Sequence, residues 1–188
     1  IHVHGASLKD TLAKKSLASY IISKLGRYCN YIVDNPNIAE VAKQINARNI
    51  YEIDAFLPKE TEKKTSLIQI KNRKNFDLVV SMVGWFTEYN GADLYGFDIL
   101  CKAIKNLEKD IKIHAICSVN GIQSNEIHEN FLSIQKKLNI KENFTLLYKQ
   151  LEDINSLFIS SDLFVRPSLS DGSSLSVKEA LWLDKPVI

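Results

Sequence analysis

Asp171 and Glu179 stand eight residues apart near the carboxyl end, and Gly172, Ser173, Ser174 and Leu175 follow directly after the first of them. Gly172 allows the backbone to approach a ligand closely. Ser173 and Ser174 present amide groups and hydroxyls where an apolar-periodic stretch begins, and the start of a helix is a ready anion site. A diphosphate fits such a site. Asp171 on the loop and Glu179 about one and a half turns into the helix would then flank the anion at different depths. Carboxylates in that position have a natural role in accepting hydrogen bonds from sugar hydroxyls. The same spacing is also met by a plain helix start, with Asp171 and Ser174 capping and Glu179 facing water.

The elements that must position these residues alternate along the chain. Ile1 to Val3 reads as the end of a buried strand, and Leu8, Leu12, Leu17, Ile21 and Leu25 mark one helix of about five turns. Cys29 to Val33 reads as a strand, and Asn35-Pro36 opens a helix carrying Ile38, Val41 and Ile45. Asn49 to Ile53 supplies a further strand. Phe56-Leu57-Pro58 then leads into the polar stretch 59–65, whose composition suits a linker. Residues 1–59 are therefore expected to form one domain portion, 60–75 a linker and 76–188 a second domain.

In that second domain, Leu78 to Val83, with Gly84 at its end, has the apolar run of a strand buried on both faces. Asp93 is expected to open a helix with the stripe Phe97, Leu100, Cys101, Ile104 and Leu107. A strand at Ile111 to Val119 and a helix with Ile127, Phe131, Ile134 and Leu138 come next, then a strand at Phe144 to Tyr148. A helix with Leu151, Ile154, Leu157 and Phe158, a strand at Leu163 to Val165, a helix from Ser174 to Leu183 and a strand at Pro186 to Ile188 complete the series. This pattern is α/β, a doubly wound parallel sheet of Rossmann-like kind preceded by part of a second one.

Composition excludes several alternatives. Lysine and arginine number 24 against 22 acids, for a net charge of +2, too balanced for the basic face of a nucleic-acid-binding domain. Short lysine pairs at Lys14-Lys15, Lys63-Lys64 and Lys136-Lys137 would allow peripheral contact with an anionic membrane, although a solvated face accounts for each of them. Cys29, Cys101 and Cys117 are odd in number and widely spaced, as expected of a reducing, cytoplasmic setting. No apolar run approaches the ~20 residues of a membrane helix. There is no phosphate-binding glycine loop ending in lysine, no GxGxxG and no GxSxG. Asp171 and Glu179 do not make a glycosidase pair, since one helix does not oppose two carboxylates across a cleft.

The stretch from Phe164 onward resembles the signature of family 4 glycosyltransferases. It has Pro167-Ser168, Asp171-Gly172, Glu179-Ala180 and Pro186-Val187-Ile188 in order. It is most similar to a variant group among capsular and surface polysaccharide enzymes, through Phe164-Val165-Arg166-Pro167, Asp171-Gly172, Ser174-Leu175-Ser176-Val177 and Glu179-Ala180-Leu181. Val83-Gly84 and the stretch from Tyr95 to Leu100 resemble the first strand end and following helix of the family's nucleotide domain.

The resemblance implies a retaining, metal-independent hexosyltransferase of the two-Rossmann-domain kind, with 1–59 the tail of its acceptor side and 76–188 its donor domain, both cut short. Gly84, Trp85, Arg166, Gly172, Ser173, Ser174, Leu175 and Glu179 would bind a nucleoside-diphosphate-sugar, with Glu179 on the ribose and Asp171 on the transferred sugar. By the same resemblance His4, in the run His2-Val3-His4-Gly5, would touch the sugar or the acceptor, a structural histidine being the alternative. The pair His2 and His4 lacks a third metal ligand, and no metal or cofactor is implied. The expected acceptor is a polysaccharide or lipid-linked glycan at the inner membrane face.

The family places an arginine just after the first glycine and a lysine a few residues later, whereas this chain has Trp85 and Tyr95. Arg166 and Lys178 are the candidates to replace that charge. Two other readings remain open: a non-catalytic module binding a glycan or partner, and a sugar epimerase or phosphorylase of the same fold.

Overall fold

The computed structural model describes residues 2–3, 7–14, 16–53, 56–57, 67–148 and 151–188. Two compact units emerge, one of Ile1–Leu57 with Asp171–Leu175, the other of Pro58–Ser170 with Ser176–Ile188. His4 and the polar stretch expected as a linker lie outside the described residues, apart from positions 67–75.

The first unit contains β1 (His2–Val3), α1 (Ser7–Ala13), α2 (Leu17–Leu25), β2 (Asn30–Val33), α3 (Pro36–Gln44) and β3 (Asn49–Glu52). Its three strands run parallel in the order β1-β2-β3. The expected five-turn helix is two helices. Ser16 has an extended backbone and its hydroxyl accepts the amide of Ser19, so it starts a new helix where apolar spacing alone suggested continuity. Leu8 is buried beside Tyr31, Val33 and Ile38, while Leu17, Ile21 and Leu25 are exposed. Asn35 caps α3 through the amide of Ile38 at 3.0 Å, with Pro36 at the first helical position as expected.

The second unit contains β4 (Leu78–Phe86), β5 (Glu88–Tyr89), β6 (Ala92–Asp93), α4 (Phe97–Leu107), β7 (Ile113–Ile122), α5 (Asn125–Leu138), β8 (Phe144–Leu147), α6 (Asn155–Ile159), β9 (Leu163–Phe164) and α7 (Leu175–Trp182). Its parallel sheet has the order β8-β7-β4-β9, and Val187 bridges Phe164 on the far side of β9. Period-2 alternation along β4 explains why both faces are covered. Val80, Met82 and Phe86 pack with α4 and α5, while Val79 and Val83 pack with Leu157, Phe158 and Ala180 of α6 and α7. The expected doubly wound α/β class is the observed one. Ile68 and Ile70 pack against the α6 and α7 side, and the Ile68 amide donates to the Ser160 hydroxyl at 2.7 Å.

Three expectations are corrected here. First, β4 does not end at Gly84 but runs to Phe86, with a register shift against β7 between those residues. Phe86 is fully buried between the rings of Phe97 and Phe131, which carries the strand onward. Second, Asp93 does not open a helix. Asn90 and Gly91, at φ 52° and 80°, turn β5 back onto β6, and α4 begins at Phe97. Third, the helix expected around Leu151 is only α6, because the Asp153 carboxylate accepts the Asn155 amide and its carbonyl accepts the Ser156 hydroxyl, fixing the start at Asn155.

Candidate functional site

Strand order reverses between β4 and β9: β7 and β8 lie on one side of the first strand, β9 and Val187 on the other. In open α/β sheets, ligands bind beyond the carboxyl ends of the strands at this switch point. Arg166 stands there, two residues after β9. Asp162 and Val165 donate amides to Val79 and Ser81 of β4 at 2.8 Å each. The register Val80↔Leu163 and Ser81↔Phe164 would make residue 167 the next donor, to Val83. That residue is proline, without an N–H. The Arg166 guanidinium donates to the Val83 carbonyl instead, at 2.7 Å.

The central carbon of the same guanidinium lies over the Tyr95 ring, 4.6 Å from its centroid. Tyr95 leans on Gly84, where a Cβ would fall 2.8 Å from the ring, so glycine is required at 84 by close approach and not by its own dihedrals. Next to it Gly96 has φ 77°, and a Cβ there would lie 2.4 Å from the Pro167 carbonyl oxygen. The Leu169 amide donates to the Leu94 carbonyl at 2.9 Å. Residues 94–96 and 166–169 are therefore seated on one another.

The buried carboxylate of Asp93 holds this turn. It accepts the amides of Tyr95 at 3.1 Å and Asp98 at 3.2 Å, so it caps α4 from outside the helix. Burial pushes its carboxyl up, opposed by the amides of Asp98, Tyr95 and Gly96 that stabilise the charged form. Sequence reasoning misplaced Asp93; its position three residues before Gly96 was the available sign of a side-chain turn ahead of the helix.

Trp85 projects from the end of β4 and lies against Gly121 of β7, where a Cβ would come within 2.4 Å of its ring. It keeps 36% of its surface exposed, so one edge is packed and one is open. Beyond Ser170 the chain turns through exposed Asp171 and Gly172 and half-buried Ser173 and Ser174 into α7. Glu179, half-buried, is the fifth residue of α7, about 6 Å along the axis from Leu175. Ala180, the residue after it, is fully buried and fixes which side of α7 faces the sheet.

Two histidines and two cysteines of the second unit serve its core. His114 is buried beside Phe76, its Nε2 2.8 Å from the Thr145 hydroxyl, and burial lowers its pKa. His128 packs on Phe86 and lies 3.0 Å from the Tyr148 hydroxyl. Cys101 and Cys117 are free and buried, and burial raises the Cys101 thiol to about 12, far from a reactive thiolate. Among the described residues no three His, Cys, Asp or Glu side chains gather as metal ligands. No helix among them is long and apolar enough to cross a membrane.

A doubly wound parallel sheet with this strand order defines a Rossmann-like class of domain. The family model of the group 1 glycosyl transferases matches residues 63–188, and the chain belongs to that family. The sequence matches no curated protein. Among solved structures it is similar to HepE of Anabaena in complex with UDP and glucose, at 16% identity and a TM-score of 0.73, covering 99% of this chain and 51% of that one. A mutant of S. aureus TarM in complex with fondaparinux, α-GlcNAc-glycerol and UDP aligns at 15% identity and TM-score 0.67, covering 99% of this chain and 35% of that one. Sucrose-phosphate synthase of Thermosynechococcus elongatus aligns at 13% and 0.67, covering 99% and 48%. These likenesses are of fold, the glycosyltransferase-B type. The chain spans about half or less of the length of the structures it matches.

Proposed function

We propose that this chain carries the donor side of a retaining, metal-independent hexosyltransferase that moves a sugar from a nucleoside diphosphate to a polysaccharide or lipid-linked glycan of the cell surface. In this reading 76–188 is the donor domain, 60–75 the linker and 1–59 the tail of the acceptor-side domain. The observation that carries it is Arg166, pinned by the Val83 carbonyl at the switch point, where a diphosphate is expected. Arg166 and the amides of Gly172, Ser173, Ser174 and Leu175 would neutralise the leaving diphosphate, the work a divalent ion does elsewhere. Gly84 and Trp85 line the donor site from β4, Glu179 takes the ribose hydroxyls, and Asp171 takes the transferred sugar. His4 would contact that sugar or the acceptor. No cofactor is needed beyond the donor itself. HepE and TarM, solved with UDP, support UDP as the first nucleotide to try.

The work would be done in the cytoplasm at the inner membrane face. The exposed Leu17, Tyr20, Ile21 and Leu25 of α2, with Lys24 among them, support peripheral contact there.

The test is turnover of UDP-glucose, UDP-N-acetylglucosamine and GDP-mannose in EDTA, followed by proton NMR of the anomeric signal. Retained configuration without metal is expected. An inverted product or an absolute metal requirement contradicts the mechanism. Binding without any turnover by the full-length protein selects the non-catalytic module, the reading favoured by Trp85 and Tyr95 at positions where the resemblance implies cations.

A further inference from the structure

Tyr95 stands where the resemblance implies a lysine, and a neutral ring in that place does not offset phosphate charge. Its contacts describe another job. The ring lies against Gly84, and the Tyr95 backbone sits in the turn that Asp93 caps and Gly96 seats on Pro167. Its free face receives the Arg166 guanidinium at 4.6 Å. From the side, that guanidinium is held by the Val83 carbonyl, left without a ladder donor because residue 167 is proline. A guanidinium held by a carbonyl and seated over a ring has lost rotamer freedom before any ligand arrives.

We infer that Tyr95 is a positioning residue for the diphosphate of the donor: it acts through Arg166, and the Tyr95–Arg166–Val83 arrangement makes the site selective for nucleoside diphosphates over the corresponding nucleosides. This rests on the donor-site reading above. A single pre-set arginine takes over the charge of two flexible cations, and the aromatic ring, not its hydroxyl, is the part that matters. The neighbouring Pro167 belongs to the device, since any residue with an N–H there would compete for Val83 and release the arginine.

The test is calorimetric titration of the whole chain in EDTA with UDP against uridine, and GDP against guanosine, for the wild type, Tyr95→Phe, Tyr95→Leu, Arg166→Gln and the double variant Tyr95→Leu/Arg166→Gln. The ratio of diphosphate to nucleoside affinity should fall about three- to thirty-fold in Tyr95→Leu, the range of a cation–π contact, and stay near wild type in Tyr95→Phe. Nucleoside affinity should hold in all variants, and the double variant should lose no more than Arg166→Gln alone, because Tyr95 acts only through the arginine. An unchanged ratio in Tyr95→Leu, losses that add in the double variant, or a parallel loss of nucleoside affinity overturns the inference. A wild type that binds neither diphosphate overturns the donor-site reading and this inference with it, whereas failure of the inference alone leaves wild-type diphosphate binding intact.

Discussion

Gly91 and Gly96 offer a paired experiment on whether residues 94–96 are seated on Pro167. Both glycines have left-handed backbones, at φ 80° and 77°. A Cβ at Gly91 meets nothing within 4 Å, while one at Gly96 falls 2.4 Å from the Pro167 carbonyl oxygen and 3.1 Å from its carbon. Gly91→Ala therefore carries only the left-handed cost, about 1–2 kcal/mol. Gly96→Ala carries that cost and an overpacking cost of about 1–3 kcal/mol, because the opposing atoms are backbone and do not swing away. At roughly 4 °C per kcal/mol for a unit of this size, Gly91→Ala should melt about 4–8 °C low and Gly96→Ala about 8–20 °C low. Thermal unfolding followed by near-ultraviolet circular dichroism reads both. Equal shifts in the two variants would refute the packing of the 94–96 turn on Pro167, and with it the placement of Tyr95 against Arg166.

Asp93→Asn should cost about 1–3 kcal/mol in urea unfolding, since its carboxylate accepts two amides in a buried place and the carboxamide presents an N–H toward one of them; unchanged stability would dismiss the cap. Gly121→Ala should displace the Trp85 indole and shift tryptophan emission to longer wavelength, with a stability loss below about 1 kcal/mol because the ring is part-exposed and can swing. An unmoved spectrum would argue against that contact. The folded pKa of His114 lies below its ordinary 6.5 through burial, then the charge of Arg73. The unfolded chain thus takes up a proton first, so stability should fall as pH drops from 6.5 through the folded value. In His114→Phe that component of the slope should vanish, and a persisting one would place its origin elsewhere.

The alternating sheet was legible because β4 and β7 are long, apolar and β-branched, and α4 and α5 keep a strict apolar stripe. What escaped reading was local side-chain chemistry. Ser16 splits an apolar stripe into two helices by capping the second, and three of the five stripe residues, Leu17, Ile21 and Leu25, face outward. The β5–β6 hairpin was marked by Asn90-Gly91, a turn signal overshadowed by the expectation of a helix at Asp93. Arg166 was legible as a cation at a strand end. Its hold on Val83 was not, since that follows from the missing N–H of Pro167 in a register no sequence displays. Tyr95 read as the loss of a cation, and only the packing on Gly84 and Arg166 gives it a role. Glycines behaved likewise: Gly84 and Gly121 lie against aromatic rings far along the chain.

In the proposed function, the loop from Asp171 to Leu175, with Glu179 on α7, would hold a nucleoside diphosphate without metal. The most direct test is calorimetric titration of the chain with UDP and GDP in EDTA, beside the double variant Asp171→Ala/Glu179→Ala. Metal-free binding of one of the two nucleotides, lost in the variant while its melting curve stays cooperative, is the predicted result. Binding that survives in the variant, or that appears only when a divalent ion is added, would contradict the account.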